Sequence, residues 1–485
     1  MNGRFPIFGI QSTTEIMRKI ALHWQILIAL IAAVIYGLSF TTSYKINKDS
    51  YKVLARNNVP ASIQEQLSPL EGKEFETMSV FLEAVKNLPD AQLETYKPSI
   101  LKAAYYNPPV SYISWMGDLF IRALKMLIIP LILSSLISGI TSIGTGSNLG
   151  RIGLKTLLYY MMTSLFAIIT GQVLVNLFKP GVGANIQFVQ KVEGLVEKQK
   201  SFTDIIVDIV PENIMQAMVN NDMLSIIFFA IIFGFFITKV AKKYQQVLQD
   251  FFTSVFEVMM KVTLFVIKFT PLGIFGIVAK TIADQEDLGG LVSSMGLYML
   301  TVILALAIHA IITLPIILRI IGKVNPLKHF RNMTTPLLTA FSTSSSGATL
   351  PLTMQAVEEN SGVSNKISSF TLPLGATVNM DGTALYECIA AIFIAQAYGV
   401  DLTFVQQLII VVTALLASIG AAAIPMAGLV MITVILTAVG LPLEGVGLII
   451  AVDRILDMFR TATNVWSDSC GAVVIARSEG EKTFV

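Results

Sequence analysis

Residues 446–476 read VGLIIAVDRILDMFRTATNVWSDSCGAVVIA, an apolar stretch that contains three aspartates and two arginines. Asp453 and Arg454 lie near its start. Five polar residues lie deeper. The first is Asp457, and it is followed after 3, 4, 7 and 11 positions by Arg460, Thr461, Asn464 and Asp468. These spacings place all five on one face of a helix. A charge inside a bilayer costs roughly 3 kcal/mol, so such residues usually line a cavity or pathway. We predict a site built inside a membrane, with structural ion pairs as the alternative.

The composition agrees with a membrane location. The chain is 54% hydrophobic and 14% charged, whereas about a quarter of a soluble domain is charged. Long uncharged runs recur at 126–150, 156–178 and 288–318, where His309 is the one titratable exception, and a first span is expected at 20–43. Such runs are too long and too apolar for barrel strands. We therefore predict an all-α polytopic membrane protein.

Clusters of Lys and Arg flank successive apolar runs at alternate ends. The positive-inside rule then places both termini in the cytoplasm, in a plasma or inner membrane, and the polar segment 44–109 outside. That segment is expected to be a loosely helical external insert. The chain has no basic tract for nucleic acid. Cys388 and Cys470 stand alone in apolar surroundings, so a disulfide framework is not expected.

Two segments have the pattern of re-entrant hairpins. Residues 332–360 have a polar centre rich in serine, and 402–443 contain no charged residue or histidine over about twice the length of one span. We call them the inner hairpin and the outer hairpin. Each contains a short motif, ATLP at 348–351 and AAIP at 422–425, and each precedes a helix with an Asn and an Asp. This echo suggests the internal repeat of a secondary transporter, with a site at the repeat interface.

The residues Asn379-Met-Asp-Gly-Thr383 interrupt another apolar helix. Gly beside short polar side chains weakens helical hydrogen bonding. Freed carbonyls together with the Asp381 carboxylate suit a hard cation such as sodium. A kink filled by water is the alternative. Glu387 follows nearly two turns later, where a buried carboxyl keeps its proton readily, so it is a candidate proton carrier or else a permanently neutral group.

The guanidinium of Arg460 has the planar fork that binds a carboxylate. Its partner is either Asp457 three residues earlier or the carboxylate of a substrate. In the second case Asp457 is left to receive a substrate ammonium. Backbone N–H groups at the hairpin tips, at Ser345, Ser346 and Gly428, are suited to an α-carboxylate. These groups together match an amino acid with an acidic side chain.

These motifs resemble the glutamate/aspartate and dicarboxylate–amino acid:cation symporter family, which includes the excitatory amino acid transporters. The resemblance runs through SSSGATLP at 344–351, PLGATVNMDGTALYE at 373–387, ASIGAAAIP at 417–425 and DMFRTATN at 457–464. Family members often have an additional arginine at either of two positions, which are occupied by Ser344 and Met458 here. The 44–109 insert lies outside the resemblance.

The resemblance implies eight transmembrane helices plus two re-entrant helical hairpins, an inverted-repeat elevator transporter and a homotrimer. Scaffold helices 1 and 2 are expected at 15–150 and scaffold helices 4 and 5 at 202–280. The transport domain is expected to comprise helix 3 at 151–180 and residues 285–478, which hold helix 6, the inner hairpin, helix 7, the outer hairpin and helix 8.

The resemblance also implies the roles of individual residues. The substrate is expected to contact Ser344, Ser345, Ser346, Thr383, Ala422, Gly428, Asp457, Arg460, Thr461 and Asn464. Three sodium sites are implied: Gly375, Asn379, Asn464 and Asp468 at the first; Thr377, Ser418, Ile419 and Ala421 at the second; and Tyr160, Thr163, Ser164, Asn379 and Asp381 at the third. Glu387 matches a position linked to proton coupling.

We therefore expect a sodium-coupled importer of L-aspartate or L-glutamate, with sodium ions and no other cofactor, and with proton co-transport left open. A proton-coupled glutamate or dicarboxylate symporter is the nearest alternative. A pure anion channel is a second alternative. No His–Glu zinc motif or Ser/Lys or Ser/His pairing supports an intramembrane enzyme.

Overall fold

The computed structural model describes residues 22–88, 93–142, 147–184, 207, 209–285, 287–420 and 427–485. It is helical almost throughout. Four described helices are long and apolar enough to cross a membrane: Pro108–Thr141, Arg151–Phe178, Leu288–Gly322 and Asn365–Ala397. A fifth span results if Lys242–Ile267 and Thr270–Ala283, which meet at a bend of 52°, form one crossing. The helical membrane architecture is as expected, while the count of eight spans stays a prediction.

The first half of the chain contains eleven described helices and three short strands. In chain order they are α1 Leu22–Ser39, β1 Ser43–Lys45, α2 Lys48–Arg56, α3 Ala61–Gln66, β2 Glu74–Phe75, α4 Met78–Lys86, α5 Leu93–Ala104, β3 Tyr105–Tyr106, α6 Pro108–Ser142, α7 Ser147–Phe178, α8 Ile214–Asn220, α9 Met223–Ile237, α10 Lys242–Ile267 and α11 Thr270–Ala283. A short 3-10 turn, Ser68–Leu70, lies between α3 and β2.

The second half consists of helices with distinct breaks. They are α12 Leu288–Ile308, α13 Leu314–Ile317, α14 Pro326–Asn332, α15 Thr334–Thr343, α16 Ser346–Gln355, α17 Asn365–Val378, α18 Asp381–Ala397, α19 Phe404–Gly420, α20 Ala427–Ala438 and α21 Val446–Ser478. π-Helical turns flank α13 at His309–Thr313 and Leu318–Gly322 and follow α16 at Ala356–Asn360, and a 3-10 turn at Leu443–Gly445 precedes α21.

The segment between α1 and α6 is a small folded unit rather than a loosely helical one. Its three strands form an antiparallel sheet in the order β2-β1-β3. Side chains such as Leu54, Ile63 and Phe81 are fully buried in a core of its own. Strands of two or three residues are too short to leave an alternating pattern, which explains why the sequence did not predict the sheet.

A buried carboxylate fastens this insert to the membrane helices. Asp284, just after α11, accepts hydrogen bonds from the Thr42 hydroxyl at 2.6 Å and the Tyr105 hydroxyl at 3.0 Å. The Thr42 amide also donates to the Ala283 carbonyl at 2.9 Å. Burial raises the pKa of Asp284, and the two hydroxyl donors offset part of that rise. The start and the end of the insert therefore meet at one point of α11.

Close helix crossings hold α1, α6 and α11 together. A Cβ on Gly276 would lie 2.7 Å from the amide nitrogen of Gly117. A Cβ on Gly37 would lie 2.7 Å from the carbonyl oxygen of Ala279. Small residues allow backbones to approach this closely in membrane proteins, where lipid is as apolar as the side chains and packing provides much of the association.

Helix α18 is the centre of the second half. All of its residues are buried except Gln396. A helix that is apolar all round is enclosed on every side, and α7, α12, α19 and α21 are among its neighbours. Such enclosure fixes the polar side chains at its first turns, where the site lies.

Both expected hairpins contain two helical arms. The inner hairpin comprises α15 and α16, joined at Ser344, whose φ of 51° is left-handed. Ser345 caps α16 by accepting from the Ala348 amide at 3.2 Å. The outer hairpin comprises α19 and α20. Residues 421–426 between its arms lie outside the described residues, and so do residues 15–21 and 202–206 of the predicted scaffold.

We predict that Asp284→Ala loosens the insert from the membrane helices. The change leaves the Thr42 and Tyr105 hydroxyls without their common acceptor, which should cost roughly 1–3 kcal/mol. Limited proteolysis of the full-length protein is expected to cut within residues 43–107 faster than in the parent. Glu65→Gln, at an exposed carboxylate within the insert, serves as the control. Equal protease resistance of Asp284→Ala and the parent would contradict the prediction.

Candidate functional site

The five polar residues of α21 lie together in the protein interior, as their spacing predicted. Asp457, Arg460, Thr461, Asn464 and Asp468 expose between 1% and 7% of their surface. The helix runs without a break from Val446 to Ser478. An uninterrupted helix keeps the i, i+3, i+4 and i+7 positions on one side, so the polar face is continuous.

Arg460 is clamped between two carboxylates. Its Nη2 lies 2.7 Å from Asp457 Oδ1 and 3.1 Å from Asp453 Oδ1. The guanidinium carbon lies 3.9 Å from the centre of the Tyr386 ring, and the Tyr386 hydroxyl donates to Asp453 Oδ1 at 2.7 Å. The Asp457 pair considered from the sequence is therefore present, and a second pair accompanies it.

These pairs leave part of the guanidinium free. Within the described part of the chain, Arg460 Nε and Nη1 are buried without a hydrogen-bond partner, and so are Asp453 Oδ2 and Asp457 Oδ2. Buried polar atoms without partners are uncommon because each forfeits its hydration. Donors and acceptors are thus both available next to one another, which is what a zwitterionic ligand requires.

Asp453 and Tyr386 were not predicted as residues of the site. The position of Asp453, seven residues before Arg460, was an available signal because i and i+7 share a helix face. Tyr386 lies on a different helix, α18, and no local pattern pointed to it. Arg454 lies 3.8 Å from Asp457 Oδ2 and is partly exposed.

The second arm of the outer hairpin lies against Arg460. A Cβ on Gly428 would be 2.8 Å from Arg460 Nη1 and 3.6 Å from Thr383 Cγ2. Gly428, Arg460 and Thr383 are therefore brought together as expected. Ala422, at the tip of the same hairpin, lies outside the described residues.

The inner hairpin packs on the same helix from another side. The ring of Phe341 meets the ring of Phe459, which precedes Arg460, with centroids 5.0 Å apart. At the tip, Ser344 and Ser346 are buried and Ser345 is partly buried. The Ser344 hydroxyl is buried without a hydrogen-bond partner among the described residues. The roles of the three serines in ligand binding stay predictions.

Helix α18 is joined to α21 through Asn464. Its side-chain oxygen accepts from the Gly382 amide at 2.8 Å, and its Nδ2 donates to the Thr383 hydroxyl at 3.2 Å. A Cβ on Gly382 would lie 2.7 Å from the Arg460 carbonyl oxygen. Gly382 thus allows two backbones to approach, whereas the helix break occurs before it, at Asn379 and Met380.

Asp381 is the centre of an oxygen-rich cluster. Its Oδ1 accepts from Ser164 at 2.6 Å and Thr163 at 3.3 Å, and Thr163 also lies 3.4 Å from Asn379 Oδ1. These are four of the five residues predicted for the third sodium site. The fifth, Tyr160, donates instead to the Thr371 carbonyl at 2.8 Å.

Two further residues complete the surroundings of Asp381. Its Oδ2 accepts from Ser467 at 2.6 Å and lies 3.1 Å from His309 Nε2. His309 is fully buried at the start of a π-helical turn. His309 stands out in the sequence only as a titratable residue within an apolar run, and no local pattern marks Ser467.

Asp468 forms a second oxygen cluster next to the first. Its Oδ1 accepts from Asn379 Nδ2 at 2.8 Å, and a Cβ on Gly375 would lie 2.5 Å from the same oxygen. Three of the four residues predicted for the first sodium site are thus together, namely Gly375, Asn379 and Asp468, and the binding of sodium there stays a prediction. Oxygen ligands of this kind suit a hard cation.

The remaining predicted sodium site is implied to use the backbone carbonyls of Thr377, Ser418, Ile419 and Ala421. The hydroxyls of Thr377 and Ser418 are not part of that ligand set and bond within their own helices, to Leu374 and Leu415. The side chain of Ile419 and all of Ala421 lie outside the described residues. This second site stays a prediction.

Glu387 is fully buried in α18. Neither of its carboxylate oxygens has a hydrogen-bond partner among the described residues. The alternative was a Glu387 carboxyl kept neutral by a permanent hydrogen bond, and no such bond is present among the described residues.

Comparison with known proteins gives consistent matches. The model of the sodium:dicarboxylate symporter family matches residues 22–478. Excitatory amino acid transporter 3 of Oryctolagus cuniculus is 38% identical over 417 residues, covering 76% of this chain and 79% of that protein, and its Homo sapiens counterpart has the same values. The proton/sodium-glutamate symport protein of Bacillus subtilis (strain 168) is 38% identical over 384 residues, covering 78% and 88%.

We predict that Gly428→Ala lowers thermal stability through a clash with Arg460. Overpacking of this kind typically costs about 1–3 kcal/mol. The loss should largely disappear in an Arg460→Cys background, where the guanidinium is absent, so a double-mutant cycle on unfolding midpoints measures the contact. Gly296→Ala, whose Cβ would meet open space, is the control. Additive effects of the Gly428 and Arg460 changes would argue against the contact.

Proposed function

The chain belongs to the sodium:dicarboxylate symporter family, and from this we propose that it imports acidic L-amino acids, L-aspartate or L-glutamate, together with sodium. The observation that carries the proposal is the buried guanidinium of Arg460, whose Nε and Nη1 have no hydrogen bond within the described residues, beside carboxylate oxygens of Asp453 and Asp457 that likewise have none. The similar proteins are named as amino acid transporters and as a glutamate symporter. The protein is a transporter and not an enzyme.

An acidic amino acid matches the free groups of the site. We propose that its side-chain carboxylate binds Arg460 Nη1 and Nε, where a planar fork gives two parallel hydrogen bonds. Its ammonium binds Asp457 Oδ2. The remaining polar atoms of the substrate bind Thr383, Thr461 and Asn464. Its α-carboxylate binds at the hairpin tips, to Ser344, Ser345, Ser346, Ala422 and Gly428.

Charge explains why a cation must accompany this substrate. Among the described residues, five buried carboxyl groups lie on α18 and α21, those of Asp381, Glu387, Asp453, Asp457 and Asp468, against one buried guanidinium, that of Arg460. Asp453 and Asp457 contact the guanidinium directly. When ionised, they repel an anionic substrate until cations bind. We propose sodium at the Asp381 and Asp468 clusters, and a third sodium at Thr377, Ser418, Ile419 and Ala421. Sodium that tightens substrate binding is tightened by substrate in return.

Transport requires the site to face each side in turn. We propose an elevator movement in which 151–180 and 285–478 slide against a scaffold of 15–150 and 202–280, within a homotrimer in the plasma or inner membrane with both termini cytoplasmic. Closure of the outer hairpin over the substrate precedes the slide. The position of Gly428 against Arg460 supports this hairpin as the closing element.

The face of α10 supports an assembly of more than one copy of the chain. Asp250, Glu257 and Lys261 are exposed along one side of this helix, next to the exposed apolar side chains of Phe251 and Val258. A helix with a charged stripe beside an apolar one is poorly matched to lipid alone. Contact with further copies of the chain would cover that stripe.

A proton-coupled glutamate or dicarboxylate symporter is the second candidate. The unpartnered, buried carboxyl of Glu387 favours it, because such a group can carry a proton across with the substrate. The two candidates differ in the gradient that drives uptake.

Uptake by the purified protein in proteoliposomes decides between them. Inward sodium and proton gradients are imposed separately, with L-aspartate, L-glutamate or succinate as the radiolabelled substrate. We expect concentrative, stereoselective uptake of the amino acids under the sodium gradient. Accumulation under the proton gradient alone supports the second candidate, and equilibration without accumulation indicates a channel.

We predict that Arg460→Cys abolishes uptake of acidic amino acids. The variant loses the only buried guanidinium among the described residues. We expect the affinity for acidic amino acids to fall at least a hundredfold, which corresponds to roughly 2.7 kcal/mol. Uptake of neutral amino acids such as serine is tested in parallel and is expected to be retained or gained. Undiminished glutamate uptake by a folded variant would count against the substrate assignment.

We predict that Glu387→Gln removes the dependence of uptake on an imposed proton gradient. The amide cannot gain or release a proton in the working range and has nearly the shape of the carboxylic acid. Sodium-driven exchange of internal for external substrate, in which the proton need not be released, should persist. Unchanged acceleration by a proton gradient in this variant would remove Glu387 from proton coupling.

A further inference from the structure

The chain continues beyond helix α21 in a short tail, residues 479–485, that turns back along the protein. These residues lie past the end of the family match at residue 478. Gly480, with φ of 87°, allows the turn. The Glu481 carbonyl then accepts from Arg477 Nη1 at 3.1 Å, and the Glu481 amide donates to the Ala476 carbonyl at 3.0 Å. The beginning of the tail is therefore fixed to the end of α21.

The first tail residue is bonded to the start of α7. The Glu479 carboxylate lies 2.6 Å from Lys155 Nζ and also contacts the guanidinium of Arg151. Lys155 Nζ donates further to the Ser478 carbonyl at 3.1 Å. Two basic residues on one helix thus hold the point at which the tail leaves α21.

The middle of the tail reaches the segment that follows the inner hairpin. The Glu481 carboxylate accepts from the Ser364 amide at 3.0 Å and from the Ser364 hydroxyl. The Phe484 amide donates to the Ser361 carbonyl at 2.9 Å. Gly362 has φ of 78°, and a Cβ on it would lie 2.8 Å from Phe484 Cγ. The backbone after the second arm is therefore bonded to the tail on both sides of Gly362.

The same tail residue also contacts the segment that precedes the inner hairpin. Lys328, on α14, donates from Nζ to the Phe484 carbonyl. The backbone of Phe484 thus joins the residues before α15 to those after α16. These two segments are the feet of the inner hairpin, and the tail crosses between them.

The two feet are joined to each other and to α21 beneath the tail. His329 Nδ1 lies 2.9 Å from the Ser361 hydroxyl, and its Nε2 lies 3.2 Å from the Ser469 hydroxyl. The His329 ring is stacked on Trp466 with centroids 5.2 Å apart. The tail therefore contacts Ser361, which is connected through His329 to α21, the helix that carries Arg460.

We propose that residues 479–485 form a clasp that locks the feet of the inner hairpin to α21 and α7, so that this hairpin stays closed while the outer hairpin opens. The inference rests on the proposed function, in which the two hairpins close one site from opposite sides. Two gates that open together make a leak. Because the clasp keeps the inner hairpin closed, the outer hairpin is the one that opens.

Hydrogen exchange of the full-length protein in nanodiscs tests the clasp without reference to transport. In Glu481→Ala, amides of residues 334–364 are expected to exchange roughly tenfold faster, which corresponds to a shift of about 1.4 kcal/mol in the opening equilibrium. Amides of the outer hairpin, 404–420 and 427–438, should be unchanged. Lys328→Ala, which removes the contact from the other foot, should produce the same regional pattern.

Lys482→Ala is the matched control, because its side chain lies in the same tail and is exposed. Glu481→Gln retains an acceptor oxygen and is expected to fall between Glu481→Ala and the parent. Unchanged exchange at 334–364 in both Glu481→Ala and Lys328→Ala, or an equal increase across all helices, would overturn the clasp. Neither result bears on the uptake experiment, so failure of the clasp and failure of the proposed function are distinguishable.

The clasp also has a transport signature. Proteoliposomes with Glu481→Ala should lose preloaded substrate faster in the absence of external sodium and substrate, because the inner hairpin then opens independently of the outer one. The expected change is a several-fold higher efflux, with Lys482→Ala at the parent rate. Parent-like efflux from a variant whose inner hairpin exchanges faster would contradict the assignment of the clasp as a gate lock.

Discussion

A positive charge buried in a membrane protein must be paired, and the pairing of Arg460 organises this structure. Two carboxylates from the same helix and one aromatic face from α18 surround the guanidinium. Taking such charges out of water costs several kcal/mol per ion, which only good geometry repays. The unbroken course of α21 and the burial of Asp453, Asp457 and Arg460 supply that geometry. The unpaired edge of the guanidinium is then available to a ligand.

The two oxygen clusters near Arg460 are physically one network. Ser467 donates to Asp381, and Asn379 donates both to Ser467 at 3.0 Å and to Asp468 at 2.8 Å. A cation at one carboxylate therefore changes the hydrogen bonds available at the other. Asn464 extends the network to Thr383 and the first turn of α18. Direct hydrogen bonds thus join both clusters to the first turn of α18.

The break between α17 and α18 makes this network possible. It places Asn379 at the end of one helix and Asp381 at the start of the next, so their side chains turn toward α7 and α21. The remainder of α18 is apolar and enclosed, and it holds Tyr386 and Glu387 rigidly among its neighbours. Both hairpins pack against α21, the inner one through Phe341 and the outer one through Gly428.

The sequence by itself determined the membrane character, the helical class, the polar face of α21, the helix–break–helix pattern of the hairpins and, through its motifs, the family. Each of these depends on local periodicity, composition or a contiguous motif. The tertiary structure alone decided that Asp453 and Tyr386 share Arg460, that His309 and Ser467 face Asp381, and that Gly382 serves close packing rather than a break. It also decided that the insert contains a sheet and that the tail reaches both feet of the inner hairpin. These contacts join residues far apart in the chain, and a pairing across helices leaves no periodic trace in a single sequence.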